Sequence, residues 1–311
     1  MFVICSYHEP APRGYNILCS RTQRDKSFTM IADRFSSSIE ADRRSWQAWA
    51  LVNKGMTLRA LDRSEDEIAV YDEVLARFGT ATELALRGLV ARALVSKGIA
   101  LGALDRSEEA IAVFDEVLAR FGTATELALR EAVATALVNK GMTLGALDRS
   151  EDEIAVFDEV LARFDTATEL ALREAVATTL VNKGIALRAL DRSEEAIAVC
   201  DEVLARFGTA TELALRERVA RALVNKGIRL RALDRSEEAI VVFGTATELA
   251  LRELVARALV SKGMALPALD RSEEAIAVFD EVLARFGTAT ELALRKLVAT
   301  ANTLNARLRK S

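Results

Sequence analysis

The sequence predicts an all-α protein, a helical-repeat solenoid of antiparallel helix pairs with six units and a C-terminal capping helix. Three observations carry this. Ala, Leu, Val, Glu and Arg dominate the 311 residues, against only 3 prolines. A Lys-Gly pair recurs at Lys54-Gly55, Lys97-Gly98, Lys140-Gly141, Lys183-Gly184, Lys226-Gly227 and Lys262-Gly263, with successive glycines 43 residues apart until the last step, which is 36. Within each period the apolar residues return at the 3.6-residue spacing of an amphipathic helix. No such stripe can be buried by one helix pair alone, whereas stacked pairs bury a continuous core.

The second helix of each unit is the clearer. Ser107 opens it, and Ala110, Ile111, Val113, Phe114, Val117, Leu118 and Phe121 form one stripe. Gly122 closes it, as a helix C-terminus favours. Asp105 and Ser107 are both expected N-caps. The first helix of the next unit is expected to begin near Thr123 or Thr125, where Thr123 and Glu126 have capping-box spacing. It runs through Leu129, Val133, Ala136, Leu137, Leu144 and Leu147 over about six turns, and Leu-Asp-Arg-Ser at 147–150 makes the tight turn into the next helix.

At this point the sequence resembles the tetratricopeptide repeat family. That repeat carries a Leu-Gly pair in its first helix, an acidic pair before Ala-Ile opening its second, and an aromatic four residues after that Ala. This chain reads Lys97-Gly98, then Glu108-Glu109-Ala110-Ile111, then Phe114, and the pattern returns at Gly184/Ala196, Gly227/Ala239 and Gly263/Ala275. The resemblance covers roughly Asp42 to the C-terminus. The unit is a long variant, 43 residues where 34 is usual, with Lys in place of the Leu before Gly. The Pro that often ends the family's second helix is replaced by Gly79, Gly122, Asp165, Gly208 or Gly287. HEAT and armadillo repeats match the length better but lack the order Gly, Ala, aromatic. The resemblance implies a right-handed superhelix over residues 31–311. Residues 1–30 share nothing with the repeat and are expected to be a poorly ordered extension, with Met30 an alternative start of translation.

Departures from regularity are informative. The fifth unit reads Ala239-Ile240-Val241-Val242-Phe243-Gly244 and lacks one Asp-Glu-Val-Leu-Ala-Arg-Phe heptad. Its second helix is expected to span Ser236 to Phe243, and the shortening is either a harmless deletion or a hinge. Glu67 and Glu153 replace the Ala of other units. With Ser64 and Ser150 they have capping-box spacing, so their carboxylates are expected to turn outward. Two readings stand for the lysine row from Lys54 to Lys262. One is a line of charge gripping an acidic ligand. The other is stems lying on the core, each ammonium reaching an acidic neighbour such as Asp72 or Glu73 in the first unit.

Little in the chain suits catalysis. His8 is the only histidine, so a His-containing triad or multi-His metal site is not expected in the array. Cys200 takes the place of the stripe aromatic and is expected to be a buried, inert thiol. Gly-x-x-x-x-Gly-Lys is absent, so no phosphate loop is expected. No cofactor or metal is therefore predicted. Net charge is −4, without bias toward nucleic acid, and each apolar run is broken by Lys, Arg or Glu short of a membrane span. The three scattered cysteines and the lack of an apolar signal core point to a cytoplasmic protein.

The first helices differ among themselves at few positions: Trp49, Arg92, Thr135, Thr178, Arg221 and Arg257; Met56, Ile99, Met142, Ile185, Ile228 and Met264; Arg59, Gly102, Gly145, Arg188, Arg231 and Pro267. Together with Val52, Val95, Val138, Val181 and Val224 they share one helical face. In tetratricopeptide proteins that face lines the concave groove. The resemblance thus implies a scaffold binding a protein or peptide in a groove of Val, Met and Ile edged by Arg, with a preference for acidic segments flanking small apolar residues. The alternative is a structural protein whose repeats self-associate end to end.

Overall fold

The computed structural model describes residues 41–247 and 252–310, and every regular element among them is helical. In chain order these are α1 (Ala41–Arg59), α2 (Ser64–Phe78), α3 (Leu84–Ala103), α4 (Ser107–Phe121), α5 (Leu127–Ala146), α6 (Ser150–Phe164), α7 (Leu170–Ala189), α8 (Ser193–Phe207), α9 (Leu213–Ala232), α10 (Ser236–Thr247), α11 (Arg252–Ala265), a 3-10 turn (Leu266–Leu269), α12 (Ser272–Phe286) and α13 (Leu292–Leu308). Odd-numbered helices up to α11 are the first helices of their repeats, even-numbered ones the second. The extension at 1–30 lies outside the described residues.

The chain divides into two compact units, residues 1–105 and 106–311. In the first, α1, α2 and α3 pack on one another. In the second, each helix packs on its neighbours in sequence, and α5, α7, α9, α11 and α13 each also pack on the next of that series. Pairing in sequence combined with stacking one pair on the next is the architecture of an all-α helical solenoid.

Helix pairs close through one recurrent contact. Tyr71, Phe157 and Phe279 are buried and lie across Gly55, Gly141 and Gly263 of the preceding helix. A Cβ at Gly55 would stand 2.5 Å from Tyr71 Cε1, and one at Gly263 2.6 Å from Phe279 Cε1. A helical glycine forfeits about 0.8–1.0 kcal/mol of propensity relative to Ala, which the burial of a whole ring outweighs. Where Cys200 replaces the ring, the same construction at Gly184 meets Sγ only at 3.8 Å.

The turn between the two helices of a repeat is built six times in the same way. Asp62, Asp105, Asp148, Asp191, Asp234 and Asp270 are all left-handed, with φ of 57–58°, a conformation Asp tolerates better than most residues. Behind Asp148 the chain folds back so that Arg149 N–H donates to the Leu144 carbonyl at 3.0 Å. Asp105 is thus a turn residue and not an N-cap, and Ser107 is the first residue of α4. No serine, threonine or aspartate side chain caps α4 or α6; Arg106 and Arg149 hold the cap positions and pair with Glu109 and Asp152. Nor does the Thr123/Glu126 box form. Glu126 is itself the extended residue before α5, and its carboxylate accepts from the Thr125 N–H at 3.1 Å.

Salt bridges stitch one repeat to the next. Lys97 reaches Asp72 at 2.6 Å, Lys140 reaches Asp115 at 2.6 Å, Lys183 reaches Asp158 at 2.5 Å and Lys226 reaches Asp201 at 2.5 Å. The second reading of the lysine row holds for these four, with one change: each acceptor lies in the preceding repeat, so Asp72 serves Lys97. Arg130 and Arg173 likewise reach Glu169 and Glu212 at the start of the following first helix.

Two repeats depart locally from the others. In the fifth repeat α10 runs on through Gly244 to Thr247, beyond the Phe243 end expected from the deletion. In the sixth, α11 stops at Ala265, and Pro267 opens the 3-10 turn that follows, because its ring and missing N–H forbid another helical turn. The array closes on α13, where Asn305 stands in the lysine position and donates to Asp280 at 2.7 Å, joined by Arg309.

Alanine at the ring-bearing glycines is expected to be costly and at Gly184 beneficial. Gly141→Ala forces Phe157 aside and should cost about 1–3 kcal/mol, whereas Gly184→Ala should gain about 0.5–1 kcal/mol. Denaturant midpoints of the two variants, with hydrogen exchange to place the effect in its own repeat, check this.

Candidate functional site

The face shared by the varying positions of the first helices is layered. Val52, Val95, Val138, Val181 and Val224 are buried and belong to the core beneath it. Above them Met56, Met142, Ile185 and Met264 stand out, each 40–42% exposed, with Ile99 and Ile228 partly covered. Aliphatic residues at one position per repeat thus form the accessible apolar surface, and the valines hold their helices in place.

The arginines of this face differ in what they touch. In residues 1–105, Arg59 is turned inward: its Nε donates to Glu67 Oε1 at 2.8 Å and its Nη2 to the Ser96 carbonyl at 2.8 Å. Arg92 lays a guanidinium nitrogen 3.0 Å from Met56 Sδ. Trp49, partly buried, meets Trp46 edge to face at a centroid distance of 5.8 Å. In residues 106–311, Arg221 pairs with Glu217 at 2.7 Å and Arg257 with Glu253 at 3.0 Å, each one turn back on its own helix. Arg188 and Arg231 have no carboxylate partner among the described residues.

A third guanidinium joins these two. Arg229 occupies a position that is Thr57, Ala100, Thr143, Ala186 or Ala265 in the other repeats. Its Nε is buried without an acceptor. Burial first, and then the positive charges of Arg188 and Arg231, hold its pKa below the ordinary arginine value, while Asp191 opposes them weakly. Three like charges therefore converge where α7 and α9 pack together, and an incoming anion would relieve their repulsion. Arg229 was not among the residues singled out from the sequence, although the comparison of repeats that found Arg188 and Arg231 would also have found it.

Glu67 and Glu153 do not turn outward as expected. Glu67 is 0% exposed and Glu153 9%. At Glu67 burial raises the pKa, and the Arg59 guanidinium offsets part of the rise. Glu153 has no such partner: Gly145 occupies the place of Arg59, and burial alone pushes its carboxyl up to about 7. The capping-box spacing misled because the side chain at this position faces the first helix of its own repeat, not the helix start.

No catalytic constellation is evident among the described residues. No group of three or more His, Cys, Asp or Glu there is placed to hold a metal. The Cys200 thiol is pushed up to about 12, chiefly by burial and then by the charge of Asp201, which leaves it unreactive at neutral pH. No helix among these residues is long and apolar enough to cross a membrane.

Family models described as "Tetratricopeptide repeat" match residues 95–168 and 175–252. Among solved structures, a tetratricopeptide repeat protein from Parabacteroides merdae ATCC 43184 aligns at 11% identity and a TM-score of 0.53, over 91% of this chain and 92% of that one. A thermophilic protein of the same repeat class from Thermus thermophilus aligns at 16% identity and a TM-score of 0.30, over 82% and 99%. The first likeness speaks to the fold alone. No curated protein matches the chain.

The Glu153 carboxyl makes stability depend on pH. The folded chain holds that proton more tightly than the unfolded one, so the contribution of this group to stability is fully present below the ordinary carboxylate value of 4.5 and is lost as pH rises through about 7. After screening by the solvent the group still meets, the loss should be on the order of 1–2 kcal/mol. Hydrogen exchange in α6 between acidic and mildly alkaline pH measures it, and Glu153→Gln should remove that component.

Proposed function

The chain belongs to the tetratricopeptide repeat family, and from that premise we propose that it is a protein–protein interaction scaffold that holds an acidic segment of its partner against Arg188, Arg229 and Arg231. Repeats of this family generally serve as protein–protein interaction scaffolds and are typically non-enzymatic. The observation that carries the finer reading is the convergence of three guanidinium groups on which Asp191 acts only weakly and among which the buried Arg229 Nε finds no acceptor. On the first helices Arg221, Arg257, Lys183 and Lys226 are neutralised within the chain, which supports assigning the unpaired arginines of this face to an external anion.

The apolar share of the contact falls to Ile185 and Ile228, which flank the cluster on the same helices. A segment with carboxylates on either side of a small apolar residue meets both features. Arginine suits carboxylates through its planar fork of donors, and a contact built on exposed charges weakens as salt screens them. The family's concave groove is where this face is proposed to lie, and catalysis has no part in the reading.

The test is binding of a fluorescent peptide that alternates Asp or Glu with Ala and Leu. Arg188→Glu with Arg231→Glu should weaken binding about tenfold or more, the equivalent of roughly 1.4 kcal/mol, with helicity unchanged. Arg221→Gln with Arg257→Gln, which already spend their charge on their own helices, should have little effect. No loss from Arg188→Glu with Arg231→Glu would place the ligand on another face, and equal losses from the two double variants would overturn the special role of the unpaired arginines.

A further inference from the structure

The first repeat contains a finished version of something the third repeat holds only in part. In the first, the Arg59 guanidinium bridges two helices: it is paired with the wholly buried Glu67 on α2 and donates to the Ser96 carbonyl on α3. Two periods later in sequence, Glu153 on α6 stands for Glu67 and Asn182 on α7 stands for Ser96, but the arginine is Gly145. The acidic half of the pair is kept and the basic half is missing.

The geometry at Gly145 shows the consequence. With no side chain on α5 to meet it, the Glu153 carboxylate lies directly against the glycine: a Cβ there would stand 2.5 Å from Oε2 and 2.8 Å from Oε1. Both oxygens lack a cationic partner among the described residues; Lys140 pairs with Asp115, Lys183 with Asp158 and Arg149 with Asp152. Glu153 keeps 9% of its surface exposed where Glu67 keeps none, and Gly145 beside it is only partly buried. A poorly solvated carboxylate without a partner is costly, and a charge-assisted pair with a planar cation is the strongest remedy available to it.

We infer that Glu153 and Gly145 form a subsite for a guanidinium group, an arginine side chain of a bound protein segment taking the place that Arg59 fills from within in the first repeat. The template favours guanidinium over ammonium, because Arg59 uses two differently directed donors on two acceptors carried by separate helices. A single carboxylate with no further acidic or sulfur ligand does not suit a metal ion. The subsite deepens the scaffold reading by adding a second charge preference. A partner segment would carry a basic residue toward α5 and α6 and acidic residues toward α7 and α9.

The test uses the full chain, with the Glu153 carboxyl followed by carbon NMR and Nα-acetyl-arginine amide as probe. Nα-acetyl-citrulline amide, of the same shape without the charge, is the control. The expected result is a saturable shift with the arginine compound alone and a return of the Glu153 pKa toward the ordinary carboxylate range. Gly145→Arg should lower that pKa without any probe and abolish binding, and Glu153→Gln, which leaves the shape of the side chain intact, should abolish binding of the arginine compound as read from the neighbouring α5 amides. The subsite is refuted by equal shifts from the two compounds, by no saturable shift in the folded wild-type chain, or by binding that survives Glu153→Gln. Arg188→Glu with Arg231→Glu should leave the arginine probe unaffected, so a failure of the acidic-segment reading is distinguishable from a failure here. A mass that grows with concentration and no longer does so in Glu153→Gln assigns the arginine to a second copy of the chain; a constant mass assigns it to another protein.

Discussion

An aromatic ring packed against a glycine is the contact on which the array depends. Each helix pair has to bring two apolar stripes close enough to exclude water, and neither stripe is wide enough to be stable unpartnered. Removing the Cβ on one helix lets the ring of the next fill the gap in a single step, as Tyr71 does over Gly55 and Phe279 over Gly263. Once the pair is closed, the left-handed Asp turn, the cap arginines and the lysine stitch all fall at fixed offsets from it. Cys200 shows how far the contact tolerates dilution, because a small buried thiol at the ring position leaves the repeat folded with looser contact at Gly184.

Specialisation is confined to places this contact does not control. The Arg59 position carries Arg, Gly or Pro in different repeats, and the facing position on the second helix carries Glu or Ala. The combinations give an ion pair at Arg59 and Glu67, an unpaired acid at Glu153, and unpaired bases at Arg188 and Arg231. Near-identical repeats are thereby made electrostatically different from one another. The scaffold reading draws its content from these differences, since identical repeats would offer no register to a partner.

Most of the fold was legible in the chain. The period, the two helices of each repeat, the tight turn at Leu-Asp-Arg-Ser and the closing helix all follow from spacing, because each is fixed by local geometry repeated many times. What spacing did not reveal depends on a competitor or on a partner distant in sequence. The hydroxyl caps expected at Ser107 and Thr123 gave way to Arg106 with Glu109 and to the Glu126 carboxylate on its neighbouring N–H. Glu153 satisfied a capping pattern yet faces Gly145, because the orientation of a first-turn side chain is decided by the helix packed against it. On the candidate face, the sequence identified the arginines but not which were spent: Arg221 and Arg257 are occupied by a Glu one turn earlier, a pairing the sequence permits without requiring.

The lysine stitch always joins residues 25 apart, as in Lys97 to Asp72 and Lys226 to Asp201. A joint written at a constant offset makes the repeats interchangeable parts. Recombination that copies or removes one whole period rejoins like to like and preserves every such joint, so the array can lengthen or shorten without redesign. The fifth repeat records an event of the other kind. Its missing heptad leaves the apolar phase in step, but it removes the Asp that would receive Lys262. A change in length by whole periods therefore keeps every joint, whereas a seven-residue change that keeps the hydrophobic pattern erases one.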